Sequence, residues 1–490
     1  MSIQYSEEQI KFLKWGAEGK GHLVGRARAG TGKTTTIVEM TRHIKENKIL
    51  LAAFNKSIAE ELQGRIKSTR VSARTLHSLG FSHLKKYWKV DIDNKGVRAQ
   101  QLAEWADPMA PYPMLKLIKN LHSKARDINP LIALKDDSDD LSELFGLAAK
   151  FDLMPEDSWE SRGWTLERVV RTAHKAMKIA MEKTEIIDFA DMIFLPLVHN
   201  WATPSFNTVI VDEAQDMTAA QLQLAISSCY KGGRCVLVGD DRQAIYGFRG
   251  ADSQALDRNK TELGAQELNL TVTRRCGKAI VALAQLLVPD FTAHADAPDG
   301  QVIEMAANNM IKAAKPGDFI LSRMNAPLVR TCMALLKRGV RAYIKGRDIG
   351  AGIQAIIDRL EVGNVDDLFP ALQKWVNNET IKARKRLPED AAADRIATVQ
   401  DQADVISALA DGASTIQNLL ERADKLFADV GSATAVMCSS VHRAKGLEAD
   451  TVYLLAETFR NGEQEEENIR YVAITRAKNT LAWVYGEPTL

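Results

Sequence analysis

Short apolar runs punctuate the first half of the chain at Ile49 to Ala53, Val209 to Val211 and Val236 to Val238. Each ends at polar or glycine positions, the pattern of strands covered on both faces by other elements. A weaker stretch, His22-Leu23-Val24, precedes a glycine-rich turn. Helical spacing of apolar residues between these runs predicts a doubly wound α/β sheet. From about Lys85 to Glu185 the texture changes to amphipathic helices carrying Trp105, Trp159 and Trp164. A second α/β texture follows at Asp318 to Ser322, Val436 to Val441 and Thr451 to Leu455. A helix-rich, alanine-rich block interrupts it at about 347 to 430. The pattern predicts two α/β cores, each interrupted by a helical insert, with no internal repeat.

At 490 residues the chain is too long for a single core, so several domains are expected. The net charge of +1 means that any polyanion site is a local patch. Five cysteines lie scattered, none in a CxxC pair, which argues against a zinc site and for a reducing compartment. The N-terminus lacks a basic-then-apolar layout, and no run reaches the roughly 20 apolar residues of a membrane span. A soluble, intracellular protein is expected.

Chemistry enters at "ARAGTGKTTT" (27 to 36), between a strand and a helix. Gly30 and Gly32 let the backbone wrap closely, so that N–H groups and a helix N-terminus face phosphate oxygens. Ala29 and Thr31 complete the turn, Lys33 would bridge the outer phosphates, and the Thr34 hydroxyl would hold Mg²⁺. The first glycine of the general pattern is Ala27 here. "VIVDEAQD" (209 to 216) ends another strand. There Asp212 would reach Mg²⁺ and Glu213 would orient and deprotonate a water, while Gln215 and Asp216 would report on nucleotide state. After the third strand comes "DDRQAIYGFRGAD" (240 to 252), which supplies Gln243, Tyr246, Phe248 and Arg249.

With these motifs in order, the chain resembles the UvrD/Rep-like group of superfamily 1 helicases. "YSEEQ" is similar to the N-terminal glutamine motif, which would place Gln9 on the adenine of ATP. "AAFNKSIAEEL" (52 to 62) and "ARTLHSLG" (73 to 80) resemble segments that contact single strands, with Phe54, Asn55, Thr75 and His77 in the key places. "LTVTRRCGKAI" (270 to 280), "LSRMNAPL" (321 to 328), "SSVHRAKGLEAD" (439 to 450) and "NIRYVAITRAK" (468 to 478) resemble the later motifs. The matches run from residue 5 to 478. Two places depart from the family pattern: Thr35 stands where an arginine is usual, and Arg274 where a tyrosine is usual.

The resemblance implies two RecA-like P-loop NTPase domains, 1–87 with 186–258 and 259–346 with 431–490. Helical insertions would occupy 88–185 and 347–430. It implies catalysis by Lys33, Glu213, Gln243, Arg275 and Arg476, and nucleotide contacts from Thr35, Arg274 and Glu448. Arg275 and Arg476 would act as arginine fingers from the second domain when the cleft shuts. DNA would be gripped by Phe54, Tyr246 and Phe248 through stacking, and by Asn55, Thr75, His77, Arg249, Arg323, Asn325 and His442. "KARKR" (382 to 386) reads first as a solvated helix face. The expected activity is ATP-driven translocation on single-stranded DNA with 3′ to 5′ unwinding, by a monomer in the cytoplasm of a bacterial or virus-infected cell. Expected partners are single-stranded DNA, strand junctions, and single-strand-binding or recombination proteins. Removal of proteins from DNA with weak unwinding, a nucleotide-dependent binding switch, and an RNA substrate stay open.

Overall fold

The computed structural model describes residues 4–66, 68–136, 139–155, 157–247, 254–387, 389–428, 434–460, 462 and 464–489. The chain forms two compact units, residues 1–27 with 32–270, and residues 28–31 with 271–490.

In the first unit the strands are β1 (Leu23–Ala27), β2 (Ile49–Ala53), β3 (Val71–Thr75), β4 (Asp91–Ile92), β5 (Ile186–Ile187), β6 (Phe206–Val211), β7 (Cys229–Gly239) and β8 (Gln266–Leu270). Six of them form one sheet in the order β3-β2-β6-β7-β1-β8, with every pair parallel. The helices are α1 (Glu7–Glu18), α2 (Lys33–His43), α3 (Lys56–Arg65), α4 (Leu76–Leu84), α5 (Arg98–Ala106), α6 (Tyr112–Ile128), α7 (Ser142–Lys150), α8 (Asp157–Glu160), α9 (Leu166–Glu182), α10 (Phe189–Val198), α11 (Ala219–Ser227) and α12 (Ala255–Leu263).

The apolar run Ile49–Ala53 is β2 itself, buried throughout. Alternation sends Ile49, Leu51 and Ala53 into one core with Phe12, Ile37 and Met40. Leu50 and Ala52 enter the other core with Leu76, Ile193 and Leu224. The run at Val236–Val238 is only the buried end of β7, whose polar first half is largely exposed. β8 pairs with β1 over Leu23 to Ala27, so the first sheet runs on past 258/259 to Leu270. Its mixed sequence Gln-Glu-Leu-Asn-Leu marks an edge strand, which lacks the continuous apolar signal of the inner ones.

β6, β7 and β1 are neighbours at the centre of the sheet. The residues that follow them therefore emerge together at the carboxyl edge, where open α/β sheets hold ligands.

Helices α5, α6, α7, α9 and α10 enclose a core that includes Leu102, Ile118, Leu121, Leu144, Val169, Met177 and Phe194. The short parallel pair β4–β5 ties Asp91 and Ile92 to Ile186 and Ile187. Inside it, the fully buried Arg126 guanidinium meets Asp188 at 2.7 Å and Asp191 at 2.5 Å, and Arg98 also bonds Asp191. Such pairs persist only when each charge has its partners, because an unpaired buried ion is costly. His122 lies on the same side of α6, and one of its ring nitrogens sits 2.8 Å from the Ala99 carbonyl oxygen.

The second unit carries β9 (Val272–Thr273), β10 (Thr292–Ala293), β11 (Gln301–Ala306), β12 (Phe319–Ser322), β13 (Ala342–Lys345), β14 (Phe427–Ala428), β15 (Val436–Ser440), β16 (Ala449–Leu455) and β17 (Ala477–Tyr485). Seven form a sheet in the order β11-β17-β16-β12-β15-β13-β14, again all parallel. Between β13 and β14 run four helices, Arg347–Leu360, Val365–Arg386, Glu389–Ala410 and Ile416–Leu426. Leu368, Val399, Ile406 and Leu419 from these helices join one core with Ile320, Ile344 and Cys438 of the sheet. Lys382 of the basic run pairs with Glu379 at 3.0 Å on its own helix.

Burial, aided by the charge of Arg126, pushes the His122 imidazole down from 6.5 to about 3. The folded chain thus keeps His122 neutral over a range in which the unfolded chain takes up a proton. Stability from this site is full above pH 6.5 and is lost as the pH falls toward 3. Chemical denaturation across this range should show the wild-type chain losing up to about 1.4 kcal/mol per pH unit more than His122→Gln. Parallel pH profiles for the two proteins would remove His122 as the source.

Candidate functional site

Gly32 adopts the left-handed conformation (φ 78°, ψ 27°) that starts α2, a geometry only glycine takes without strain. Lys33 and Thr34 then open the helix. The Lys33 side chain is 12% exposed, with its ammonium 2.5 Å from Glu213 Oε2 and 3.5 Å from Asp212 Oδ1. Burial opposes its charge, but Glu213 and Asp212 outweigh that and hold the Lys33 pKa above its ordinary value. Burial, reinforced by the charge of Glu213 and opposed by Lys33, pushes the Asp212 carboxyl up. The Thr34 hydroxyl lies 3.4 Å from Asp212 Oδ2. Thus the two motifs predicted to share a nucleotide site do meet within the first unit.

Glu213 carries φ 54° and ψ 42°, unusual for a residue with a side chain and a form of backbone strain that tends to sit at functional sites. From it runs a hydrogen-bonded relay. Gln215 Nε2 donates to Glu213 Oε2 at 2.6 Å, and the Asp240 amide donates to Gln215 Oε1 at 3.1 Å. Gln243 Nε2 then donates to Asp240 Oδ2 at 2.7 Å. Gly239 is required here, because a Cβ would stand 2.3 Å from Gln215 Oε1. Asp240 is fully buried, whereas Asp241 pairs outward with Arg26 at 3.2 Å.

Gln9 is buried and occupied. Its Oε1 accepts from the Ser6 amide at 2.9 Å, closing the cap of α1, and its Nε2 donates to Thr36 Oγ1 at 3.0 Å. Arg65, reaching over from α3, donates to Thr35 Oγ1 at 3.1 Å. A guanidinium therefore stands at the place where the sequence has threonine, brought by packing from a residue 30 positions away.

The rings of Phe54 and Tyr246 are parallel within 4°, their centroids 6.3 Å apart. Asn55 and Thr75 cap α3 and α4, accepting from the amides of Ile58 (2.9 Å) and Ser78 (3.2 Å). Burial lowers the His77 pKa, so the ring is neutral at pH 7 and able to donate one hydrogen bond. Phe248 and Arg249 lie outside the described residues.

Sequence reasoning passed over Phe189, which stands 65% exposed at the start of α10. It meets His77 edge-on with centroids 6.0 Å apart. Both border a cavity of about 540 Å³ that Asn120, Lys124, Asp127 and Phe151 also line. The available signal was an aromatic residue directly after a capping aspartate, Asp188, which burial would not require to be aromatic.

In the second unit, Arg275 pairs with Glu448 at 2.6 Å and donates to the Thr475 carbonyl at 3.3 Å. Lys478 holds the other Glu448 oxygen at 2.8 Å. Partial burial works against the Glu448 charge, but Lys478 and Arg275 outweigh it and keep the carboxyl below its ordinary range. The Arg274 amide donates to the Gly30 carbonyl at 3.0 Å, and the Ala29 amide to the Tyr471 hydroxyl at 3.1 Å. Thr31 Oγ1 turns back to the Arg28 carbonyl at 2.8 Å.

Arg476 is 1% exposed and donates to the carbonyls of Val472 (2.9 Å) and Leu447 (3.1 Å). Arg323 grips Glu466 at 3.0 Å, and Asn325 donates to Asp401 from both its amide and its side chain. His442 is half-buried on the short helix Val441–Ala444. Arg323 and Arg476 belong to the unit's own scaffold in this arrangement.

A family model of the UvrD/REP helicase N-terminal domain matches residues 10–263, and one of the UvrD-like helicase C-terminal domain matches residues 251–487. F-box DNA helicase protein 1 of Schizosaccharomyces pombe is 24% identical over 511 residues, covering 93% of this chain and 54% of that protein. F-box DNA helicase 1 of Gallus gallus is 24% identical, covering 98% of this chain and 49% of its own. This chain therefore spans about half the length of those two relatives. ATP-dependent DNA helicase UvrD2 of Mycobacterium tuberculosis is 23% identical over 94% of this chain and 76% of its own. The two family models take in nearly the whole chain in sequence order, and the chain belongs to the UvrD/REP helicase family.

Proposed function

We propose that this chain is an ATP-driven motor that moves along single-stranded DNA and separates duplex strands, in the 3′ to 5′ direction by its family resemblance. One observation carries the reading. The relay Lys33–Glu213–Gln215–Asp240–Gln243 leaves the phosphate loop and ends three residues before Tyr246, whose ring lies parallel to Phe54. A γ-phosphate competing with Glu213 for Lys33 would disturb the first link, and the disturbance would reach a pair of rings suited to stacking on bases. Such stacking is indifferent to base sequence, as a motor needs.

The residues fit a bound Mg²⁺. Thr34 and Asp212 present a hydroxyl and a carboxylate within 3.4 Å of each other. Among the described residues no cluster of three or more His, Cys, Asp or Glu forms a cage of its own. Magnesium favours such a sparse set, taking its other ligands from phosphate and water, and it would neutralise charge on the phosphates. Glu213 would orient and deprotonate the attacking water. Arg275 and Arg476 would supply positive charge to the transferred phosphoryl group once freed from Glu448 and from the carbonyls that hold them. Arginines used in this way raise turnover by about 10³ to 10⁵. The two units would act as RecA-like domains with the helical segments 88–185 and 347–430 as insertions, working as a monomer. Arg65, beside Thr35, would serve the adenine side of the pocket.

Lys33→Ala should lower ATP turnover by about 10²- to 10³-fold while leaving oligonucleotide binding detectable. Full turnover in that protein would sink the proposal. Tyr246→Ala should keep basal turnover but lose its stimulation by single strands, with affinity weakened by about 1–3 kcal/mol. Gln215→Met should lose the same stimulation while binding DNA normally, and its basal turnover should also fall, because Glu213 loses a donor. If both variants kept full stimulation, the relay would have no coupling role.

A further inference from the structure

At the end of α4 the sequence reads Lys85-Lys86-Tyr87-Trp88-Lys89. These residues line an open cavity of about 460 Å³. Tyr87 is 44% exposed and stacks on Trp201, with centroids 4.7 Å apart and planes 13° from parallel. Trp201 in turn stacks on His199 at 4.4 Å, and Trp88 braces both edge-on. Lys85, Lys86 and Lys89 are exposed. Lys86 is steadied by the hydroxyls of Thr203 and Ser205, and Lys85 lies over the Phe81 ring. Among the described residues no carboxylate pairs with any of the three. In a chain of net charge +1 this is a local positive patch beside an exposed aromatic ladder.

We propose that this patch is a second binding site for single-stranded nucleic acid, separate from the Phe54–Tyr246 pair. Lysines alone would suit any polyanion. A rigid ring with one face exposed adds a partner for an unpaired base, which a duplex keeps stacked inside. The ladder behind Tyr87 holds that ring in place, so little ordering is left to lose on binding. Lys85 lies eight residues from His77 on the same helix, about 12 Å away at 1.5 Å per residue. A strand touching both must be longer than one that fills the first site alone. The inference rests on the motor reading only in taking nucleic acid as the ligand.

The test uses the full chain with oligothymidylates of about 8 and about 20 nucleotides, lengths on the scale of known single-strand sites. Lys85→Ala/Lys89→Ala should weaken binding of the long strand and flatten its salt dependence by about 1.4 in log–log slope, at about 0.7 for each phosphate no longer neutralised. Binding of the short strand and its stimulation of hydrolysis should not change. Tyr87→Ala should weaken the long strand by about 5- to 100-fold, and Tyr87→Phe should restore it. Wild-type affinity and salt slope for the long strand in the double lysine variant would overturn the proposal, whatever Tyr87→Ala does. So would a loss confined to duplex DNA, which would make the patch a phosphate clamp, or one confined to a bound protein partner. Failure of the short strand to bind or stimulate the wild-type chain would instead count against the motor reading.

Discussion

The Lys33 ammonium is the charge on which the first unit's carboxyl edge is organised. A lysine this enclosed is tolerable only beside negative charge, and Glu213 and Asp212 provide it at 2.5 and 3.5 Å. That pairing requires β1 and β6 to end at the same level of the sheet, which the order β6-β7-β1 accomplishes with β7 between them. Because β7 is the strand between, its own exit at Asp240 falls next to Gln215, and one buried carboxylate extends the chain of bonds to Gln243. The strain at Glu213 fits the same demand: its left-handed backbone turns the chain sharply after β6, so that Glu213 meets Lys33 while Gln215 reaches β7.

A relay of this kind couples sites because each group in it has few alternatives. Gln215 is buried, Asp240 is fully buried, and the amide of Gln215 lies so close to Gly239 that no side chain would fit there. Moving one donor in a water-poor chain exposes an unsatisfied partner, which costs more than the bond itself was worth. On the proposed reading, a change at the phosphate loop would therefore be passed on rather than absorbed by solvent. The second unit answers with the same economy. Arg275, Glu448 and Lys478 form one closed charge group, and Arg476 is lodged against backbone carbonyls.

Much of this was legible in the residues. The strands at Ile49 and Val209 announced themselves because burial on both faces forces continuous apolar runs, and the phosphate loop because its turn demands glycine. Legibility failed where a role depends on partners distant in sequence. The resemblance assigns Gln9 to the adenine, and nothing near it in sequence tells that its amide also closes a capping box and bonds Thr36. Asp240 reads as one of two interchangeable acids, but only the fold buries it and sends Asp241 out to Arg26. Arg65 carries no motif at all and gains its place because the fold brings the end of α3 to the start of α2. β8 escaped notice because an edge strand needs no apolar run.

Two candidate DNA residues turn out to be helix caps, and the two roles are compatible for a physical reason. In a parallel sheet each strand's carboxyl end feeds a helix, so the residues there must satisfy the helix's first amides. Asn55 and Thr75 do so. One side chain quiets only one of those donors, and the remaining amides, with the positive end of the helix, still face outward toward any anion. A phosphate backbone lying across the starts of α3 and α4 would therefore find donors that need no dedicated lysine. That would allow a chain of nearly zero net charge to hold a polyanion at this edge. The lysines at the far end of α4, whose C-cap is Lys85, suit the negative end of that helix, so it is the exposed Tyr87 beside them that sets the cluster apart.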